Sequence, residues 1–559
     1  MHASNEKVNF HKYVIYQIYP KSFCDTKGDG LGDLQGIIEK IPYIASLGVD
    51  MVWFNPFFVS PQRDNGYDIA DYYAIQPAFG TLEEFDEMVA KLGEHGIGVM
   101  LDMVLNHTST AHEWFQKALA GDEEYRDYYI IRPGLADGSP PTNWDSKFGG
   151  SAWEPFGDTG DYYLHLFDVT QADLNWRNPE VRTEMANIVN FWRDRGVHGF
   201  RFDVINLIGK EAELKSSAPG EDPRYMYTDG TDVDRYLQEL AAASFGKDPL
   251  SVTVGEMSST TIERCVGYSN PDNHELNMVF NFHHLKVDYL NGKKWTNIRF
   301  QPRDLKEVLN KWALGMQEGN GWNALFLNNH DQPRAINRFG DPERYHVESA
   351  TMLAHMIHLL RGTPYIYMGE EIGMTDPLYT SINDYVDIES TNAYITLLEE
   401  GLNADEAFAI VHSKSRDNAR TPMQWDDSKH AGFTNGVPWL APTNQDRINV
   451  VAEEASGRIL PYYRKLIQLR KQYAVIADGS YEPFQLEHEK VYAFFRKLED
   501  EELLVIVNLS GEHTVFEIPE RFVSGNILIE NHSTDLTGNM LQLNPYHAIA
   551  ILTKEQPQS

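Results

Sequence analysis

Three hydrophobic runs in this chain each end on an acid: Gly199-Phe-Arg-Phe-Asp203, Val252-Thr-Val-Gly-Glu256 and Leu325-Phe-Leu-Asn-Asn-His-Asp331. A buried strand that delivers a carboxyl group at its C-terminal end is how a parallel (β/α)8 barrel assembles an active centre. No Gly-rich loop ending in Lys-Ser/Thr is present to cradle phosphates. The chemistry expected is therefore proton transfer combined with a covalent carboxylate, the toolkit that breaks glycosidic bonds. Strand alternation points Arg201 and Asp203 into one space. The guanidinium is expected to lower the pKa of Asp203 and keep it ionised, as a nucleophile requires. Glu256, partly desolvated, would hold its proton to higher pH and serve as general acid. Asp331 would stabilise positive charge developing on a sugar ring, with His330 and His107 donating hydrogen bonds to sugar hydroxyls. A retaining mechanism calls for the carboxyl groups of Asp203 and Glu256 to lie about 5–5.5 Å apart.

Such acids need a scaffold. Short β-rich runs alternate with amphipathic stretches: Val14 to Tyr19, Met51 to Phe54, Gly98 to Leu105, Gly199 to Val204, Ser251 to Met257, Met278 to Phe282, Asn323 to Leu327 and Pro364 to Tyr367. Helical patterns such as Leu82 to Glu94 and Pro179 to Arg195 fall between them. This alternation predicts an α/β fold, a TIM barrel of parallel strands. From His107 to Leu174 the expected helix gives way to Gly-, Pro-, Trp- and Asp-rich sequence, read as an inserted subdomain. Thr375 to Leu440 reads as a second irregular interval. Beyond a helix at Tyr462 to Tyr473, alternating strands without helices predict a C-terminal antiparallel β-sandwich. The expected division is 1–106 and 175–479 for the barrel, 107–174 for the insertion and 480–559 for the sandwich.

The net charge of −34 excludes the basic footprint that nucleic acid or an anionic membrane would require. Only Cys24 and Cys265 are present, so a disulfide scaffold is not expected and a cytoplasmic location is. The first residues, Met1 to Asn9, contain no apolar core of a secretory signal, and no run approaches a membrane span. The partner expected is a small-molecule sugar.

Asp102-Met-Val-Leu-Asn-His107, Gly199 to Asp203, Val254-Gly-Glu256 and Asn328-Asn-His-Asp331 together resemble the four short segments of the α-amylase superfamily, glycoside hydrolase family 13. The resemblance spans almost the whole chain. It implies Asp203 as nucleophile, Glu256 as acid/base and Asp331 as third carboxylate. Gln171-Ala-Asp-Leu-Asn175, Asp64-Asn-Gly-Tyr67-Asp and Arg416 to Trp425 are similar to the oligo-1,6-glucosidase branch. That likeness implies exo action, with Asp64 and Arg416 closing the pocket around a terminal glucose and Tyr67 stacking under it. Val204, after the nucleophile, resembles branch members that do not prefer α-1,4 bonds.

A narrower likeness lies in Asn143 to Trp153, Gly255 to Thr260 and Phe280 to Tyr289, which resemble the members of the branch that act on trehalose 6-phosphate. It gives a purpose to His283, His284, Lys286, Lys293 and Lys294, which follow the sixth strand, and to Lys147 from the insertion. A phosphorylated second sugar needs such cations, each charge-assisted contact being worth about 1.5–3 kcal/mol when shielded. The implied reaction yields glucose and glucose 6-phosphate. An unphosphorylated oligosaccharide is the alternative substrate, and a non-catalytic binding protein of the same fold the alternative class. No cofactor is expected. Asp25, Asp29 and Asp33 form a weak calcium candidate, because Lys27 stands where an oxygen ligand belongs and its ammonium repels a dication. His283-His284 lacks a third ligand at zinc spacing.

Overall fold

A computed structural model describes residues 8–554. The first residues, read above for a leader, lie outside that range. Eight parallel strands carry the fold: β1 Ile15–Ile18, β2 Met51–Phe54, β3 Gly98–Met103, β4 Gly199–Phe202, β5 Val252–Glu256, β6 Met278–Phe280, β7 Ala324–Leu325 and β8 Thr363–Tyr367. Their order in the sheet is β6-β5-β4-β3-β2-β1-β8-β7, a nearly closed barrel of the TIM type. Each of these strands is mostly apolar and almost wholly buried, as parallel strands covered on both faces must be, with the few polar residues, Gln17, Asp102, Arg201, Thr253, Glu256 and Thr363, buried as well. The seventh is shorter than its sequence promised.

The chain divides into two compact units. The first is built mainly of Trp53–Asn281. Here β4 lies between β3 and β5 in a register that sets Arg201 level with Asp102 on one side and Val254 on the other. The helix Leu82–Glu94 follows its predicted bounds, begun by a capping box between Thr81 and Glu84. Pro179–Arg193 starts on an Asn178 cap with proline in its first turn. Within the insertion, His107–Ser109 pairs antiparallel with Gln171–Asp173, and Ile131–Pro133, Asp161–Leu164 and Trp153–Pro155 form a small sheet. Two short helices, Glu113–Leu119 and Glu123–Arg126, also lie there, which the composition concealed.

The second unit comprises Asn9–Val52, Phe282–Glu318 and the chain from Asn323 onward. The interval from 375 to 440 is irregular only at its two ends. It holds the helices Ile388–Glu399 and Ala404–Lys414, packed through Ala393, Leu397, Ala407, Ile410 and Val411. Ile388, Ile395 and Leu398 are exposed, so the apolar residues of the first helix ring it and blur the 3.6 period.

The C-terminal strands form two antiparallel sheets. Ser480–Phe484, Val491–Leu498, Glu501–Asn508, Ala548–Lys554 and Asn526–Glu530 make one, and Thr514–Glu517, Met540–Leu543 and Asp535–Thr537 the other. Val491, Ala493 and Phe495 join Leu504, Phe516, Leu541 and Ile549 in a shared core. The opposite face of the same strand is also covered. Tyr492 meets Tyr481 hydroxyl to hydroxyl at 2.9 Å. Arg496 donates to the carbonyls of Leu359 (2.8 Å), Ile476 (2.8 Å) and Gly479 (2.6 Å). Leu359 ends the helix His346–Leu359, whose residues from Ser349 on are all buried, so the cation rests against a helix C-terminus.

Replacing Arg496 with Met would leave those carbonyls buried without a donor. Urea unfolding is expected to show a loss of about 3 kcal/mol or more, the cost of several unsatisfied acceptors, with kcat unchanged.

Candidate active site

In the first unit, the register of β3, β4 and β5 gathers three carboxylates on one guanidinium. Arg201 Nη1 lies 2.8 Å from Asp102 and 2.6 Å from Asp203, and Nη2 lies 2.8 Å from Glu256. Arg201 is 1% exposed. The rings of Trp53 and Tyr67 cover its guanidinium at 5.1 and 6.0 Å. Tyr67 donates its hydroxyl proton to Asp102 (2.8 Å) and accepts one from Asn55 (2.8 Å).

Three acids against one base cannot all be ionised cheaply in so dry a place. Burial pushes Asp203 up to about 6, with Arg201 pulling it down and Asp102 pushing it further up. Asp102 is likewise raised to about 6 by burial against the pull of Arg201. This corrects the expectation that Arg201 sets Asp203 below the ordinary range: the ion pair limits the rise rather than reversing it. A hydrogen bond from Glu256 to Asp203 lowers the latter.

Immediately after the nucleophile candidate the backbone turns left-handed. Val204 has φ 36° and ψ 40°, a conformation β-branched residues avoid. The turn aims its N–H at Glu256 Oε2, 3.1 Å away. Strain of this kind costs on the order of 1–3 kcal/mol and persists where surrounding structure fixes it.

Asp64 accepts from Gln171 Nε2 at 3.1 Å, and the same amide lies 3.3 Å from His107 Nε2. His107 is buried, with Nε2 3.2 Å from the Tyr67 carbonyl, and burial lowers its pKa to about 4. The segment Gln171 to Asn175 thus ties together two residues singled out separately. Lys147 Nζ donates to Ser258 Oγ at 2.9 Å and lies 5.4 Å from the Tyr227 ring.

In the second unit, Asp331 is held by two arginines. Arg420 Nη2 donates to Oδ1 at 2.9 Å and Arg416 Nη1 to the same oxygen at 3.4 Å. His330 Nε2 is 3.2 Å from Asp331 Oδ2, and its Nδ1 is 3.0 Å from Gln17 Nε2 on β1. Arg416 is anchored in turn by Asp387 at 2.7 Å and lies 3.3 Å from Glu389. Burial alone would raise Asp387, but Arg416 holds it well below the usual carboxylate range.

Of the basic set, Lys286 and Lys293 are exposed. Lys294 pairs with Glu389 at 2.8 Å and lies over the Trp295 ring. His283 packs on Trp312 and is lowered to about 4, mainly by burial, so it is neutral at physiological pH. His284 is withdrawn as a phosphate ligand. Its ring is buried, its Nε2 lies 2.7 Å from the Phe326 carbonyl oxygen, and burial lowers it to about 4. Asp102 and Arg420 escaped notice as site residues although both stand inside quoted segments. Asp387 and Glu389 left no sequence signal.

The calcium candidate does not fit a cation as arranged. Asp25 accepts the backbone N–H groups of Lys27, Gly28 and Gly30. Asp33 accepts from Thr26 and caps a helix through Gly36 N–H. N–H donors occupy the lone pairs that calcium would need. Among the described residues no group of three His, Cys, Asp or Glu could hold a metal. No described helix is long and apolar enough to cross a membrane.

Comparison with known proteins adds an independent finding. The family described as alpha amylase, catalytic domain, matches residues 17–479, and the alpha-amylase SusG C-terminal domain matches 491–550. The chain is 48% identical to the trehalose-6-phosphate hydrolase of Bacillus subtilis (strain 168), over 97% of this chain and 98% of that protein. It is 46% identical to the oligo-1,6-glucosidase of Parageobacillus thermoglucosidasius, again over 97% and 98%. The crystal structure of Bacillus licheniformis trehalose-6-phosphate hydrolase superposes with a TM-score of 0.94 at 47% identity, covering 98% of this chain and all of that one.

A carboxylate nucleophile at Asp203 would attack only when unprotonated. The kcat/KM of a neutral α-glucoside is therefore expected to fall as pH drops through about 6, where burial places the group; an acid limb near 4 would contradict that effect. Chelation with EDTA is expected to leave both Tm and turnover unchanged, and a drop in either would restore the calcium reading.

Proposed function

The chain belongs to the α-amylase family, glycoside hydrolase family 13, and is a glycoside hydrolase; from that membership we propose that it cleaves α,α-trehalose 6-phosphate to glucose and glucose 6-phosphate, with retention. The coordination of Asp203 and Glu256 by one guanidinium carries the reading of the chemistry. A shared Arg201 favours a close pair of retaining type over the wider gap of about 6.5–9.5 Å that admits an inverting water.

In the first step an Asp203 oxygen bonds to the anomeric carbon while the glycosidic C–O bond breaks. Glu256 gives its proton to the departing oxygen. In the second, Glu256 takes a proton from water, whose oxygen displaces Asp203 from the same carbon. Arg201 and the Val204 N–H orient the two carboxyls. By the family pattern Asp331 stabilises charge on the ring, and Asp64, Tyr67, His107, His330 and Arg416 bind the terminal glucose. Lys286 and Lys294 are assigned to the phosphate of the leaving sugar, with Lys147 and His283 in support. A substrate of this kind and the two reduced thiols, Cys24 and Cys265, fit a cytoplasmic location.

One observation favours the neutral alternative: Lys294 is already neutralised by Glu389. The oligo-1,6-glucosidase of Parageobacillus thermoglucosidasius is nearly as similar. The deciding experiment compares kcat/KM on trehalose 6-phosphate, trehalose and isomaltose. A strong preference for the phosphate is expected. Lys286→Ala should raise KM for trehalose 6-phosphate by about 10- to 150-fold, the equivalent of one charge-assisted contact. Equal turnover of isomaltose would overturn the proposal.

A further inference from the structure

Between Phe282 and Asp288 the chain makes a tight 3-10 turn, His283–Lys286, in which Lys286 is exposed while His284 and Leu285 are buried. One arginine grips it on both sides of that lysine. Arg338, on the short helix Ala335–Phe339, donates from Nη2 to the Leu285 carbonyl at 2.5 Å and to Asp288 Oδ1 at 2.7 Å. Its Nε reaches Asp288 Oδ2 at 3.1 Å. Lys414 Nζ, from the helix Ala404–Lys414, closes on the same carboxylate. The third arm of the guanidinium, Nη1, donates to Gln332 Oε1 at 2.9 Å, on the residue after Asp331. The exposures of Arg338, Asp288 and Lys414 are 3%, 5% and 4%, so the whole cluster is dry.

Two cations on one carboxylate leave a buried excess of positive charge. Apolar packing would hold two helices and a turn together without that desolvation cost. What the planar fork adds is direction: several parallel bonds fix the turn in orientation as well as place. The residues fixed are the immediate neighbours of Lys286, and the remaining arm ties them to the loop that bears Asp331.

We propose that Arg338 and Asp288 are positioning residues for recognition of a sugar phosphate, acting through Lys286. They hold the turn so that the ammonium leaves it in one direction, at a fixed offset from the Asp331 loop. The inference rests on the reading above that the leaving sugar carries a phosphate. It goes further by assigning specificity to buried groups that do not touch substrate.

The test measures kcat and KM on trehalose 6-phosphate and on p-nitrophenyl α-D-glucoside for Arg338→Lys, Asp288→Asn and Lys286→Ala, singly and with each positioning variant combined with Lys286→Ala. Arg338→Lys keeps the charge but loses the fork. It is expected to raise KM for the sugar phosphate by about ten-fold while leaving its kcat and the p-nitrophenyl glucoside within about two-fold. In the Lys286→Ala background it should add nothing, because the group it positions is gone. Asp288→Asn, nearly isosteric, should give the same pattern, and serves alone if Arg338→Lys lowers Tm too far to assay. Equal losses on both substrates, or losses that add to those of Lys286→Ala, would mean general destabilisation and overturn the inference. A Lys286→Ala variant with unchanged KM would instead remove the phosphate reading itself, a distinct result.

Discussion

The first unit is organised around a single buried guanidinium. Arg201 binds Asp102, Asp203 and Glu256 at once, which lets three acids share a small and dry volume. Its hold depends on register. With Arg201 level with Asp102 on the neighbouring strand, a slip of one residue would send the guanidinium to the helical face and leave the acids mutually repelling. Trp53 and Tyr67 complete the enclosure, keeping water from weakening the field.

The second unit shows the opposite balance. Around Asp331, Asp387, Glu389 and Asp288 stand Arg416, Arg420, Lys294, Arg338 and Lys414, so nearly every acid there is matched or outnumbered. An excess of carboxylates raises the pKa of groups that must exchange protons or form a bond. The cations of the second unit are local in a chain whose net charge is −34, each held by an acid rather than left to the surface.

Much of this was legible because period and spacing are written in sequence. The strand-ending acids, the helix Leu82–Glu94 and the alternation of Val491 to Phe495 follow from side-chain direction alone. Dryness is not written there. Asp203 was expected low because its partner was visible, whereas the burial that outweighs the partner comes from residues distant in sequence. His284 was counted among cations for the same reason, since nothing adjacent to it announces the Phe326 carbonyl. Asp288, Asp387 and Glu389 acquire meaning only through tertiary partners, some more than a hundred residues away. The helix Ile388–Glu399 was lost because exposed apolar residues erased its polar face.

Val204 shows what the site exacts from the fold. The valine beside Asp203 is held in a left-handed backbone that β-branched residues avoid, and that constrained backbone keeps one N–H trained on Glu256. Its side chain is packed in a buried apolar cluster with Leu166 and Leu207, so a glycine there would relieve the backbone only by giving up that packing and loosening the unfolded chain, and the fold retains the strain.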